Sequence, residues 1–159
     1  MASRRSTTTS SIHQSESLDD AVAFRIHRTN RLLRTHLSRF LTEHGEGLSP
    51  EQWFVVARLG EKHPVRQVDL AEPVLGDPPN VSRLVDGLVD RGLVERSPDP
   101  SDRRSWLIEL TSEGRRVLRR VQQRTAPERE RVFAGFGADE LRTLVASLDR
   151  IDDNLRTLL

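Results

Sequence analysis

The sequence contains no cysteine, and this absence removes several classes of function at once. Without a thiol, the chain can form no disulfide, no thiolate metal site and no thiol-based redox switch. The histidines show neither a pair at i, i+4 spacing nor an HExxH-type pattern, the arrangements expected of helical metal sites. They are His13, His27, His36, His44 and His63. We therefore expect neither a metal site nor a bound cofactor.

Long hydrophobic runs and an excess of one charge are also missing. No apolar run approaches the length of a membrane span, and the first residues lack the apolar segment of a secretion signal. We therefore expect a cytoplasmic chain without membrane contact. Lysine and arginine together number 25 against 24 acidic residues, so the net charge is only +1. Any affinity for nucleic acid must come from the local placement of arginines.

The chain also lacks the patterns on which catalytic sites are commonly built. It shows no nucleophile–base arrangement, no phosphate-binding loop and no metal-ligand spacing, so we do not expect an enzyme. What it does contain is 159 residues, of which 35% are hydrophobic and 31% charged. This length suffices for one domain with a real core, and the composition indicates a mainly helical protein with a large polar surface.

The clearest local pattern lies in residues 77–111. Asp77 is a good N-cap for a helix, and Pro78 and Pro79 cost little in a first turn, where the amide protons have no partner. Apolar residues then recur at helical spacing and form one stripe, made of Val81, Leu84, Val85, Leu88 and Val89. Gly92 stands where a left-handed C-cap is expected. The opposite face carries polar side chains.

After Gly92 the helical period gives way to alternation. Residues 93–96 form a short predicted strand, and Trp106, Ile108 and Leu110 share one face of a second. The turn between them, residues 97–104, contains two prolines and ends in two arginines. A helix followed by a basic hairpin is the layout of a winged helix-turn-helix, in which the helix enters the major groove of DNA and the wing reaches along the backbone.

The motifs RGLVER (91–96), DPSDRR (99–104) and LTSEG (110–114) occur here in that order, and SPEQWFVVARL (49–59) precedes them. Together they resemble the MarR (multiple-antibiotic-resistance regulator) family of bacterial repressors over most of the chain. The resemblance implies a mainly α fold: a winged helix-turn-helix with a two-stranded β wing and N- and C-terminal dimerisation helices. It also implies that Asp102 steadies Arg104, which enters the minor groove.

The resemblance gives physical meaning to the arginine pair. A narrow minor groove concentrates negative potential, and a guanidinium fits it. We therefore place Arg103 and Arg104 in a DNA contact, although a merely solvated hairpin tip is the alternative. On the preceding helix, we expect Pro79, Asn80, Ser82 and Arg83 at the DNA, and Asn and Arg can read adenine and guanine. Contact with phosphates alone is equally compatible with these residue types.

The flanking segments complete the predicted organisation. We expect residues 1–16, rich in Ser and Thr, to form a disordered tail, with a basic arm that touches DNA as the alternative. Residues 17–159 then form a single domain. Within it, 49–111 is the DNA-binding winged helix, and 17–45 and 112–159 supply dimerisation helices. Ser17 is the expected cap of the first helix, which should end near Gly45.

Several local features are predicted inside this frame. Ser49 opens a capping box, Trp53 points into the core, and residues 67–75 form a helix that Pro73 shortens or bends. Its inward positions are Val68, Leu70 and Ala71. Thr111 caps the helix after the wing, and Pro127 should end or kink that helix. From residue 138, a regular apolar seam suggests a partner helix from a second copy.

Together, these expectations describe a homodimeric, sequence-specific DNA-binding regulator. We expect it to repress nearby genes and to recognise an inverted repeat in double-stranded DNA. In the family it resembles, a small-molecule effector binds a crevice beside the dimer helices. Arg28, His36 and Trp53 are the candidate effector contacts, although each can equally be a packing residue. The alternative function is a winged-helix protein–protein adaptor that does not bind DNA.

Overall fold

The computed structural model describes residues 17–18, 21–70 and 78–158. The elements in chain order are α1 (Val22–His44), α2 (Pro50–Glu61), β1 (Val65–Arg66), α3 (Pro78–Asp90), β2 (Val94–Asp99), β3 (Asp102–Leu110), α4 (Ser112–Val132) and α5 (Ala138–Arg156). A short 3₁₀ helix, Gln67–Leu70, follows β1. The chain divides into two compact units, one ending at Arg120 and the other Val121–Leu159. The expected tail, residues 1–16, lies outside the described residues.

The predicted start of the first helix is wrong, whereas its end is correct. Helix α1 begins at Val22 after Ala21, which makes no side-chain capping bond, so Ser17 is not the cap. Leu18 is 69% exposed, so no packing in the single chain extends the helix as far as the apolar pattern suggested. The helix ends at His44, and Gly47, at φ +74°, helps turn the chain toward α2.

Helix α2 begins as the capping box predicts. The Gln52 backbone N–H donates to Ser49 Oγ at 3.2 Å, and the Ser49 backbone N–H donates to Gln52 Oε1 at the same distance. Trp53, Val56 and Leu59 are buried, so this helix supplies much of the core. Reciprocal capping satisfies two amides that a helix start otherwise leaves without a partner.

The sheet contains one strand that the sequence pattern did not reveal. Its order is β1-β3-β2, and both pairs are antiparallel. Strand β1 is only two residues long, and its Val65 lies opposite Ile108. The wing itself is two-stranded, as predicted, but its strands reach Asp99 and start again at Asp102, so the turn is much shorter than 97–104.

The segment after β1 departs from the predicted helix 67–75. Residues 67–70 form a 3₁₀ helix, in which Leu70 is buried as expected but Val68 is 62% exposed. Because a 3₁₀ turn takes three residues rather than 3.6, it rotates side chains away from the positions an α-helix would give them. The expectations for Ala71, Pro73 and the cap Asp77 fall on residues 71–77, outside the described residues.

Thr111 joins the wing to the helix that follows it. Its hydroxyl donates to the Gly92 carbonyl oxygen at 2.7 Å and accepts from the Gly114 N–H at 3.0 Å, so the predicted cap of α4 is confirmed. A Cβ on Gly114 would lie 2.0 Å from the Leu93 carbonyl oxygen, so only glycine allows this approach. The junction therefore fixes the end of β3 against the end of α3.

Helices α4 and α5 follow the wing. Pro127 does not end α4, which continues to Val132. Pro127 is exposed, so water can satisfy the carbonyl that loses its helical partner there. Helix α5 starts at Ala138 as predicted, with Glu140 accepting from the Gly137 N–H at 2.7 Å. None of the helices in the described part of the chain has the length and apolar character of a membrane span.

Candidate nucleic-acid interface

Helix α3 separates an apolar face from a polar one, as its sequence predicts. Val81, Val85 and Leu88 are fully buried or nearly so, whereas Pro79 and Arg83 are exposed. The helix ends at Asp90, and Gly92 takes φ +67°, the left-handed conformation expected of a C-cap. Burial of one stripe thus fixes which residues face outward.

The predicted reading residues of α3 differ in exposure. Pro79 and Arg83 are exposed, whereas Asn80 and Ser82 are half-buried. Arg83 forms no ion pair with any described residue, so its guanidinium is free to meet a base edge or a phosphate. On the side of α3 that faces solvent, Arg83 is therefore the best placed of these residues for a contact, and the shorter Ser82 lies beside it.

Asp99 closes the turn at the wing tip. Its Oδ1 accepts from the Ser101 backbone N–H at 2.8 Å and from the Ser101 hydroxyl at 2.6 Å, and the residue is 6% exposed. These bonds favour the charged carboxylate, so the Ser101 hydroxyl and then its amide lower the pKa of Asp99. The turn is consequently held in place by a carboxylate that is ionised at neutral pH.

Asp102 organises the backbone that carries the arginines. Its Oδ2 accepts from the Ser105 hydroxyl at 2.7 Å, and its Oδ1 accepts from the Arg104 backbone N–H at 3.0 Å. The same two bonds, the Ser105 hydroxyl first, lower the pKa of Asp102. Arg104 is exposed, and only the backbone of Arg103 belongs to the described part of the chain. Asp102 therefore acts on Arg104 through its main chain.

An ion pair between wing and helix is a feature that the sequence did not reveal. Arg96 Nη1 of β2 lies 2.6 Å from Asp86 Oδ1 of α3, with the two side chains 26% and 52% exposed. Arg96 Nε and Nη2 are buried and have no hydrogen-bond partner among the described residues. The pair neutralises a carboxylate on the outward face of α3 and links the two elements that would meet DNA.

A second missed contact fixes the other end of α3. Arg91 Nη2 donates to the Glu46 carbonyl oxygen at 2.6 Å, and Arg120 of α4 forms an ion pair with the Glu46 carboxylate. Glu46 has φ +56°, so this loop residue sits in a conformation that non-glycine residues rarely adopt. Arg91, just after α3, and Arg120 of α4 therefore hold the α1–α2 loop against the end of α3.

The three candidate effector contacts have contrasting surroundings. Arg28 and His36 are exposed on α1, whereas Trp53 is only 8% exposed, as a packing residue would be. A cavity of about 530 Å³ lies elsewhere, between the end of α2 and the β1–β3 edge, and Arg58, Lys62, Arg66 and Leu107 are part of its lining. Arg66 is engaged there by Asp69, whose oxygens accept at 2.8 and 3.1 Å.

Two helices expose apolar residues that a soluble single chain would normally bury. On α1 these are Val22, Ile26, Leu32 and Leu33, and on α5 they are Leu144, Val145, Leu148 and Leu155. In the single chain, α5 has no buried residue. Apolar stripes of this extent commonly mark surfaces that bind another protein.

The chain is similar to proteins of known family and structure. A model of the MarR family matches residues 48–106. CouR from Rhodococcus jostii RHA1, solved with p-coumaroyl-CoA, is 31% identical over 86% of this chain and 95% of that one, with a TM-score of 0.78. A MarR-family transcriptional regulator from Rhodococcus sp. RHA1 is 30% identical, covering 86% and 96%, with a TM-score of 0.76. A mutant of MarR from E. coli, solved with operator DNA, is 25% identical, covering 80% and 93%, with a TM-score of 0.67.

Proposed function

Because this chain belongs to the MarR family of transcriptional regulators, we propose that it binds double-stranded DNA and represses nearby genes through α3 and the β2–β3 wing. Members of the family are regulators and not enzymes, which agrees with the absence of a catalytic pattern in the sequence. The related MarR of E. coli was solved with operator DNA. We therefore also propose that the protein acts in the bacterial cytoplasm, where operator DNA lies.

The link between Arg96 and Asp86 is the observation that carries this proposal. It joins the exposed face of α3 to the wing and neutralises the Asp86 carboxylate, three residues after Arg83 on the same helix. We assign base or phosphate contacts to Pro79, Asn80, Ser82 and Arg83 on α3. On the wing, we assign contacts to Arg103 and Arg104 and a positioning role to Asp102.

We further propose that two copies form the functional unit. The exposed apolar residues of α1 and α5 need a partner, and a second copy of the chain supplies the same residues in a closed arrangement. The segments 17–45 and 112–159 would then serve dimerisation, and 49–111 DNA binding. A two-fold axis implies an operator that is an inverted repeat with half-sites about 10 bp apart, centre to centre.

The decisive experiment measures binding to duplexes from the DNA next to its own gene by fluorescence anisotropy. With about four to six phosphates contacted by arginines of two copies, the plot of log K against log salt should have a slope of about −4 to −5. A scrambled duplex should bind much more weakly. Equal affinity for scrambled DNA with a flat salt profile would contradict the proposal and favour the adaptor alternative.

We also propose that a small anionic or phenolic effector lowers DNA affinity. The related CouR was solved with an aromatic CoA thioester, p-coumaroyl-CoA. In this chain, Arg28 and His36, both exposed on α1, would meet the anion, and Trp53 is the third candidate contact. A tenfold loss of DNA affinity requires about 1.4 kcal/mol of coupling between the two ligands.

A panel of aromatic acids and phenols tests this second proposal. Each compound is added to the protein–operator complex, and any hit is followed by calorimetry on the free protein. Arg28→Ala and His36→Ala should weaken binding of the hit, whereas Arg142→Ala, on α5, should not. A hit that binds both α1 variants with unchanged affinity would overturn the assigned pocket, and a panel without hits would count against effector control.

A further inference from the structure

Trp106 is a large apolar side chain that the wing leaves half-exposed. Its neighbours on the same face of β3, Ile108 and Leu110, are 0% and 1% exposed, whereas Trp106 is 49% exposed. It lies opposite Pro98, and the regular pairing of the two strands is disturbed immediately beyond that pair. Pro98 and Trp106 thus form the last regular pair before the tip.

The register shows which way Trp106 faces. Residues directly opposite each other in an antiparallel pair share one face of the sheet. Arg96 is opposite Ile108, and its guanidinium reaches Asp86 of α3. The face that carries Trp106 is therefore the face toward α3. Trp106 lies two residues, or about 6.6 Å, nearer the wing tip than Ile108.

This position lies between two surfaces assigned to DNA, the outward face of α3 and the arginine tip. The surroundings are suited to phosphates, because the Asp86 carboxylate is paired with Arg96, the Asp99 and Asp102 carboxylates accept hydrogen bonds within the wing, and Arg104 is exposed at the tip. Indole offers a flat apolar surface and one N–H donor. The sugar–phosphate backbone offers the complement, since deoxyribose is largely apolar and phosphate oxygens accept hydrogen bonds.

We propose that Trp106 is a DNA-contact residue, whose ring packs on the sugar–phosphate backbone between the two grooves and whose Nε1–H donates to a phosphate. This inference rests on the proposed function, because it requires that the protein bind duplex DNA. It goes beyond it by adding an uncharged residue that contributes affinity without reading sequence. A backbone contact should strengthen binding to operator and to scrambled DNA by the same factor.

Intrinsic fluorescence can follow Trp106 directly, because the chain has only two tryptophans. In Trp53→Phe, the emission comes from Trp106 alone. Saturation with a mixed-sequence duplex at low salt should shift that emission to the blue and lower its quenching by acrylamide at least twofold. Trp106→Phe is the matched control, since its remaining Trp53 is buried and should not respond to DNA. If Trp53→Phe folds poorly, the difference between wild type and Trp106→Phe gives the same signal.

Affinity supplies the second measurement. Trp106→Ala should weaken binding of operator and scrambled duplexes alike by roughly tenfold, the scale of one good contact, without changing the salt slope. Trp106→Phe, which keeps a ring but loses the donor, should lose about threefold. The unfolding temperature of both variants should stay near that of wild type, because the side chain is half-exposed.

The outcomes separate this inference from the function on which it rests. Wild-type protein that binds no duplex would overturn the proposed function itself. Wild-type protein that binds DNA while Trp106 stays equally accessible, or while Trp106→Ala binds as tightly, would overturn the inference alone. Protection of Trp106 that grows with protein concentration in the absence of DNA would also overturn it, because the occupant would then be a second copy of the chain.

Discussion

Replacing Arg96 by methionine tests the link between the wing and α3. Methionine keeps an unbranched apolar stem but removes the charge, so the Asp86 carboxylate on the outward face of α3 loses its partner at 2.6 Å. An ion pair this exposed is worth about 0.2–1 kcal/mol. The unfolding temperature should therefore fall by no more than about 2–4 °C.

Arg96→Met should change the free energy of DNA binding at least as much as it changes the free energy of unfolding. The charges that repel are those of the unpaired Asp86 carboxylate and a DNA phosphate. Two unit charges about 8 Å apart repel by about 0.5 kcal/mol in bulk water and about 2 kcal/mol at the effective dielectric near a protein surface. Because the Asp86 side chain is 52% exposed, the lower half of that range applies. Arg96→Met should then bind operator roughly two- to eightfold more weakly than wild type.

A double-mutant cycle isolates the cause. Asp86→Asn removes the carboxylate's charge, so it should bind operator as tightly as wild type or more tightly. Combined with Arg96→Met, it should restore affinity to within about twofold of wild type. Arg58→Met is the control, because Arg58 pairs with Glu61 on its own helix, at 3.1 Å. Anisotropy with labelled operator gives the affinities, and urea unfolding gives the stabilities.

Two results would contradict this explanation of the loss of affinity. If the double variant binds operator as weakly as Arg96→Met, the loss does not come from the unpaired carboxylate. Arg96 would then contact DNA itself, and its bond to Asp86 would be incidental to binding. Wild-type affinity in Arg96→Met would instead mean that Asp86 lies too far from phosphates for its charge to matter.

Three further predictions concern the wing and the dimer. Arg104→Ala should weaken operator binding by about 1–3 kcal/mol in anisotropy titrations without changing the unfolding temperature, and wild-type affinity would contradict its assignment. Leu144→Arg combined with Leu148→Arg should give a folded monomer in sedimentation, and a persistent dimer would contradict the assigned α5 surface. The pKa of Asp99 is lowered below its ordinary value of 3.8. The carboxylate therefore stabilises the turn fully above that pH, and this stabilisation is lost as the pH falls through the lower pKa of the folded protein. Hydrogen exchange should therefore show the wing loosening below about pH 4, and Asp99→Asn should show the same loosening at neutral pH.

The features predicted correctly from sequence are those fixed by near neighbours. Ser49 and Gln52 cap α2, Gly92 ends α3, and Thr111 caps α4, and each acts within a few residues of its own position. Such contacts depend on backbone geometry that three or four residues determine. The apolar stripe of α3 belongs to the same class, since one helical period defines it.

The features that were missed depend on distant parts of the chain. Strand β1 exists because Val65 pairs with Ile108, and two residues carry no periodicity of their own. The Arg91 bond to the Glu46 carbonyl oxygen spans 45 residues. The start of α1 is predicted too early, because a capping residue and an apolar pattern mark possible helix positions and do not show where the single chain forms the helix.

The distribution of arginine partners explains how a chain of net charge +1 can bind a polyanion. Many arginines are paired with an acidic residue three positions away, as in Arg58–Glu61, Arg116–Glu113, Arg131–Glu128, Arg142–Asp139 and Arg156–Asp153. Arg83 and Arg104 form no ion pair with any described residue, and Arg96 is turned inward to neutralise Asp86. Pairing therefore cancels charge in these helical pairs and leaves Arg83 on α3 and Arg104 at the wing tip uncancelled. On the proposed function, these unpaired arginines would favour a polyanion, and operator affinity would depend on how well α3 and the wing fit the DNA.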